Sequence, residues 1–355
     1  MKSRNPRISE DYQEFLLLAC PPRYLKILAC LLALHLLSGC STVPYEKGAI
    51  WCNEPLEFNS DAPFDKTHLD VARRGYIYAL AGAYVLQNNK DEDKDHWFNL
   101  PSRLTENHRP RRDKSGFEIG IFELRDKPKD DEPYEIIIAY TGSNDTADWV
   151  FTNLLFSKRQ YDLARQYLLE TVKKYPGKRI VVTGYSLGGA LAGHITKDGR
   201  TSEYVSEAWL FNPSPKLYAN DSYNSRLWIG ALRGEALQFI RTRPFEILWP
   251  GINRIGAPWQ QNAQDYYLIS AFPIYGHYRW ALARNILFVA DYAHLQNPIG
   301  PINPKFVNEP REILEDSRFK ACEKEKEWIK HVIKSQISEQ EKVTAEIKEK
   351  EKSSK

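Results

Sequence analysis

The segment Gly184-Tyr185-Ser186-Leu187-Gly188-Gly189-Ala190 sets a serine between two glycines, each two residues away. The apolar run before it, Arg179–Thr183, reads as a buried strand. The small residues after it, Gly189, Ala190 and Ala192, suit a helix that packs closely on a sheet. A serine at a strand-to-helix turn is placed to act as a nucleophile, because the sharp, strained backbone lifts its hydroxyl above the sheet. Side chains two positions to either side would collide there, so Gly184 and Gly188 are required. The helix N-terminus directs its N–H groups and dipole at charge developing on an attacked carbonyl. The chemistry implied is acyl transfer to Ser186, with the Leu187 N–H as one oxyanion donor.

The flanking elements decide what else reaches this turn. Leu69–Gln87 reads as a helix, 88–114 as polar loop, and Phe117–Leu124 as a half-buried strand. Tyr134–Tyr140 contains Glu-Ile-Ile-Ile-Ala, a continuous apolar run expected of a strand covered on both faces. Asp162–Tyr175 carries Leu163, Tyr167, Leu168 and Val172 at helical spacing, and Pro176-Gly177 ends it. Strand, helix, strand in this order predicts a βαβ unit with parallel strands. Both strands then finish at one edge of the sheet, where ligands bind in such folds. The residues leaving the first strand, Thr141-Gly142-Ser143-Asn144, arrive beside Ser186, and Ser143 becomes the second oxyanion donor. One such donor is worth about 2.7–4 kcal/mol of transition-state stabilisation.

These features resemble the class 3 lipase family. The matching residues are Gly142-Ser143, Asp148-Trp149, the Gly184–Gly189 turn and Asn212-Pro213-Ser214-Pro215. The last of these follows the apolar strand Ala208–Phe211 and is similar to the family's Gly-Ser-Pro segment. The resemblance spans roughly Tyr134–Pro215 and weakens beyond it. It implies an α/β-hydrolase fold, with a mostly parallel sheet between helices, and a Ser-His-Asp/Glu triad hydrolysing carboxylic esters. Tyr185 replaces the family's His before the nucleophile, and Asp148 carries over as a structural residue. Val150, Phe151 and Leu154–Phe156 fall where the family carries a lid.

A serine needs a base and an orienting carboxylate, in the chain order serine, acid, histidine. Of the eight histidines, His35, His68, His96 and His108 precede the oxyanion strand. His194 sits two turns along the elbow helix, and His331 lies in a charged tail. His277 and His294 remain. His277 is preferred, because it follows Gly276 and opens an apparent helix, Tyr278–Val289. His294, in Asp291-Tyr292-Ala293-His294-Leu295, is the alternative and is similar to the Asp-His-Leu around the base of some fungal class 3 lipases. Ala236–Arg241 reads as a further strand. The family places Asp just after such a strand, but none occurs here. Glu246 is the first carboxylate available and is assigned as the acid, with Asp265 in reserve.

Hydrophobic residues make up 42% of the 355-residue chain and charged residues 27%, an ordinary globular composition. A net charge of +3, without a basic, aromatic-laced stripe, argues against nucleic acid. Arg23 and Lys26 precede the apolar run Ile27–Leu37, which is shorter than the ~20 residues that span a bilayer. The run ends in Leu37-Ser38-Gly39-Cys40, which resembles the bacterial lipoprotein signal. That resemblance implies cleavage before Cys40, lipidation of Cys40 and, with Ser41 next, sorting to the outer membrane facing the periplasm. Cys52 and Cys322 then form a possible disulfide. The expected organisation is a signal peptide over 1–39, a hydrolase domain over 40–308 and a charged helical tail over 309–355.

The function expected is a serine-dependent carboxylic ester hydrolase, a lipase or phospholipase acting on envelope lipids without metal or organic cofactor. A thioesterase or peptidase would use the same residues. A non-catalytic envelope lipoprotein is the reading from another class, and the missing Asp is its support.

Overall fold

The computed structural model describes residues 66–87, 96–110, 116–141, 159–235, 237–241, 255–266, 276–296 and 306–319. Its first element is helix α1 (Lys66–Val85). Two strands follow, β1 (His96–Trp97) and β2 (Leu104–His108), inside the stretch that reads as polar loop. β2 has one buried side chain, Leu104, so its sequence carries almost no hydrophobic signal. Backbone pairing to β3 (Ile119–Leu124) makes it a strand. β3 is buried along its whole length rather than on one face.

Next come β4 (Glu135–Tyr140), α2 (Arg159–Lys174), β5 (Arg179–Tyr185), α3 (Leu187–Lys197), β6 (Glu207–Phe211) and β7 (Leu227–Leu232). The segment expected as a strand over Ala236–Arg241 is instead the single-turn helix α4 (Gln238–Arg241). The chain continues through β8 (Asn262–Tyr266), α5 (Arg279–Gln296), α6 (Glu309–Asp316) and β9 (Arg318–Phe319).

The main sheet has seven strands in the order β2-β3-β4-β5-β6-β7-β8. β2, β3 and β4 pair antiparallel, and β4 through β8 are parallel. The five parallel strands add in chain order. Crossovers of one hand then carry their helices to a single face. α2 and α3 lie there, over Ile136, Ile138, Tyr140, Ile180, Val182, Ala208 and Leu210. The opposite face presents Ile137, Ala139, Val181, Tyr185, Trp209 and Phe211 to α1, α5 and α6. The period-two alternation within each strand thus supplies two cores from one apolar run. The result is an α/β-hydrolase architecture.

α1 sits against the middle of the sheet. The Thr183 hydroxyl donates to the Tyr78 carbonyl at 3.1 Å and the Tyr185 hydroxyl to the Ala79 carbonyl at 3.2 Å. α6 joins the same core through Ile313 and Leu314, so the packed domain runs past residue 308. It is pinned by a buried carboxylate. Glu309 accepts from Arg103 Nε at 2.7 Å, from the second guanidinium nitrogen at 2.8 Å and from the Tyr76 hydroxyl at 2.8 Å. Cys40, Cys52, Cys322 and the remainder of the charged tail lie outside the described residues. No helix among the described residues is long and apolar enough to cross a membrane.

Removing one partner of a buried, hydrogen-bonded pair leaves the other charge uncompensated, at a cost of about 3–5 kcal/mol. Glu309→Ala is therefore predicted to destabilise the protein by about that amount, read from the urea midpoint at unchanged slope. A loss below about 1 kcal/mol would show the Arg103–Glu309 pair to be dispensable.

Candidate active site

The turn between β5 and α3 is held by its neighbours. Ser186 N–H donates to the Phe211 carbonyl at 3.0 Å, and Ser214 N–H donates to the Ser186 carbonyl at 3.0 Å. Ser186 has φ 54° and ψ −120°, a conformation that L-residues with side chains rarely adopt. The glycines on either side have no room for a side chain. A Cβ on Gly188 would stand 2.1 Å from the Tyr140 carbonyl oxygen, and one on Gly184 would stand 2.6 Å from it. Tyr140 pairs with Gly184 in the β4–β5 ladder, so the end of β4 runs directly beside the elbow. Thr141 follows that strand, its hydroxyl bridging to the backbone of Glu118. Ser143, Asp148 and Trp149 lie outside the described residues. Leu187 occupies the first position of α3, where the helix leaves the N–H without an intrahelical acceptor.

His277 stands in the turn ahead of α5. Its Nε2 is 3.0 Å from Ser186 Oγ, and its Nδ1 is 2.6 Å from Glu235 Oε2. A carboxylate only accepts, so Nδ1 carries the proton and Nε2 is free to accept from the serine hydroxyl. The backbone around this histidine is tied down by Asn212, which is fully buried at the end of β6. Its amide nitrogen donates to the Gly276 carbonyl at 2.9 Å, and its amide oxygen accepts from Leu232 N–H at 3.0 Å. One side chain thereby joins the ends of β6 and β7 to the histidine turn.

Glu235 follows β7 by three residues and is completely buried. Burial pushes its carboxyl up in pKa. The Arg241 guanidinium, and after it His277, more than offset this, so the group is held below the ordinary glutamate value. Oε2 also accepts from Leu237 N–H at 2.9 Å, and Oε1 lies 2.5 Å from the Arg241 guanidinium. Ser186, His277 and Glu235 thus form a hydrogen-bonded chain of hydroxyl, imidazole and carboxylate, the arrangement that activates a serine.

The carboxylate that meets His277 is Glu235, whereas the sequence reading assigned Glu246. The difference traces to the misplaced strand. The strand before the acid is Leu227–Leu232, and Glu235 is the first carboxylate after it. The Leu-Trp-Ile-Gly-Ala-Leu run was the available signal. Glu246 itself lies outside the described residues. Asp265, the reserve acid, is instead 2.6 Å from His68 on an exposed part of the surface. His194 is buried on α3 with Nδ1 on the Leu217 carbonyl at 2.9 Å. Among the described residues no group of His, Cys, Asp and Glu could hold a metal ion.

His294 is a core histidine. It is 2% exposed in the last turn of α5, edge-on to Tyr76 at 6.2 Å. Burial, with help from Arg73, lowers its pKa to about 4.

Comparison of the sequence with protein-family models and with curated proteins finds no match. Among solved structures the chain is similar to the Lip2 lipase from Yarrowia lipolytica, at 15% identity and a TM-score of 0.37 over 54% of this chain and 82% of that one. It is also similar to a triacylglycerol lipase from Penicillium expansum, at 14% identity and a TM-score of 0.33 over 54% and 78%. Lipase II from Rhizopus niveus gives 11% identity and a TM-score of 0.32 over 48% and 74%. At this level the likeness carries nothing about activity or substrate.

His294 yields a pH prediction. Its folded pKa of about 4 lies below an unfolded value near 6.5, so the unfolded chain binds more protons between them. Stability from this residue is full above about pH 6.5 and falls by about 3 kcal/mol as pH drops to about 4. Asp291, raised to about 6 by burial, pulls in the opposite sense over part of that range, so the comparison must be between wild type and variant. His294→Gln is predicted to flatten the decline between pH 6.5 and 4 in denaturation midpoints. Parallel wild-type and variant profiles would contradict the assignment.

Proposed function

We propose that this protein is a serine hydrolase that cleaves carboxylic esters through an acyl-enzyme on Ser186. The observation carrying this reading is the unbroken contact from Ser186 Oγ through His277 to Glu235, 3.0 Å and 2.6 Å. His277 takes the hydroxyl proton as the serine attacks the acyl carbonyl and returns it to the departing alcohol. Water deacylates the enzyme by the same route in reverse roles. Glu235 keeps the imidazole in its Nδ1–H tautomer and faces the imidazolium as it forms. The N–H groups of Leu187 and Ser143 receive the oxyanion. The strained φ of Ser186 and the two obligate glycines fit a site kept for chemistry. The support for a non-catalytic reading was a missing acid, and Glu235 supplies one.

The finer proposal is that the substrate is an acylglycerol or glycerophospholipid of the bacterial envelope. The N-terminal resemblance to a lipoprotein signal supports it, because lipidation at Cys40 would hold the domain against an outer-membrane lipid surface facing the periplasm. Two acyl chains or more at one cysteine anchor a protein stably. Cys40→Ser is predicted to move the protein out of the membrane fraction, and retention there would remove the anchor from the proposal.

The reaction itself is tested with a fluorophosphonate probe and a short-chain ester. Wild-type protein is expected to label and hydrolyse, and Ser186→Ala to do neither. Glu235→Gln is expected to lower kcat roughly 10³–10⁴-fold, by loss of the imidazole's orienting acceptor. Glu246→Gln is expected to stay within a few-fold of wild type. Folded wild-type protein that stays unlabelled with lipid or detergent present would refute the reading. So would activity that persists in Ser186→Ala.

A further inference from the structure

Arg241 is the last residue of α4, and its side chain is 4% exposed. Three groups from three parts of the fold hold its guanidinium. One terminal nitrogen donates to the Pro213 carbonyl at 2.7 Å, in the turn after β6. Nε donates to Gln264 Oε1 at 3.2 Å, on β8. The other terminal nitrogen stands 2.5 Å from Glu235 Oε1. The two oxygens of Glu235 are therefore divided, Oε2 to His277 and Oε1 to Arg241. A glutamate has one more rotatable bond than an aspartate in the same role, so its carboxylate needs a second fixed partner to meet the imidazole in one orientation.

Among the described residues, the charges around the pair are few. Glu235 is faced by Arg241 from α4 and by His277 from the turn before α5. Arg279, two residues beyond His277, turns to the Ala83 carbonyl on α1 at 3.2 Å. Arg233, between β7 and Glu235, is exposed, and Asp265 on β8 is taken by His68. Among the described residues, Arg241 is thus the fixed cation that shares the carboxylate with the imidazole. It acts on both protonation states unequally, because the imidazolium adds a second positive charge on the same anion.

Building on the serine hydrolase reading above, we propose that Arg241 is a positioning residue of this site, holding Glu235 in the orientation that meets His277 and sharing the carboxylate's negative charge with the imidazole. Its loss would free the carboxylate to turn and would leave the imidazolium with the whole of the negative charge.

The test is kcat/KM against pH for p-nitrophenyl butyrate hydrolysis by the full-length protein in detergent. Arg241→Gln, Arg241→Met and Arg241→Lys are compared, with melting temperatures alongside. In the neutral variants the acidic limb is expected to move up by about one pH unit. Their kcat is expected to fall on the order of 10- to 100-fold, with KM little changed. Arg241→Lys keeps the charge but not the planar fork, so it should hold the wild-type limb at reduced kcat. A folded neutral variant whose limb stays in place would overturn the proposal. If neither neutral variant folds, Arg241→Lys decides: unchanged kcat would make Arg241 a structural ion pair and end the proposal, and a lowered kcat at an unmoved limb would uphold it. Wild-type protein that neither labels nor hydrolyses would instead remove the underlying reading, whatever the variants do.

Discussion

The crowding of two backbones at the end of β5 is the constraint on which the rest of this structure depends. Ser186 can hold φ 54° only because Phe211 and Ser214 clamp its backbone and because Gly184 and Gly188 leave the Tyr140 carbonyl unobstructed. Strain of this kind costs on the order of 1–3 kcal/mol and persists where surrounding structure over-determines it. Here the determination comes from register. Tyr140 stands opposite Gly184, and Tyr185 opposite Phe211, so three adjacent parallel strands end together around the serine. A one-residue slip in either ladder would put side chains where only glycine fits and would exchange the side chains of the two buried faces.

The two edges of the parallel strands divide the work of the domain. At the amino edge, carboxylates and guanidinia pair: Arg103 with Glu309, Arg179 with Glu135 and Glu207, and Arg74 with Glu207. A cavity of about 380 Å³ opens among them, but its arginines are already engaged with carboxylates. These contacts join α1, α6 and the strand starts, and they read as architecture. At the carboxyl edge the polar groups converge on one hydroxyl instead. Asn212 connects β6, β7 and the histidine turn, and Arg241 connects the β6 turn, β8 and the acid. Neither side chain reaches Ser186, yet both fix the groups that set the imidazole on it.

How much of this could be read from the sequence follows from the range of each signal. The elbow is local: seven consecutive residues state the turn, the serine and the glycines. The β4–α2–β5 unit is nearly as plain, because a run buried on both faces differs sharply from the amphipathic helix after it. His277 was within reach because chain order left two histidines, and only one follows a glycine at a helix start. Glu235 was not. Its strand, Leu-Trp-Ile-Gly-Ala-Leu, is interrupted by a glycine. The Leu237, Phe239 and Ile240 that follow alternate well enough to read as a strand, although they form the turn and helix beyond the acid. β2 was hidden for the opposite reason: Thr105-Glu106-Asn107-His108 has no apolar pattern, and its strand character comes entirely from the partner backbone.

The misplaced strand shows what an acid needs in this fold. A carboxylate placed far along a loop would have to be brought back by the loop's own order. One placed three residues after a central strand inherits the strand's rigidity, and only its side-chain rotamers remain to be fixed. Glutamate at that position has the reach to cover the distance to His277 and, for the same reason, more ways to miss it. Burial alone would drive it toward the protonated form, which orients an imidazole wrongly by offering a donor where an acceptor is required. Arg241 addresses both problems with one group, because a guanidinium held by two further acceptors fixes the carboxylate in space and keeps it charged. The site therefore reaches its hydroxyl–imidazole–carboxylate geometry through an ion pair one step removed from the reacting atoms, and α4, a single turn of helix, exists in the right place to deliver it.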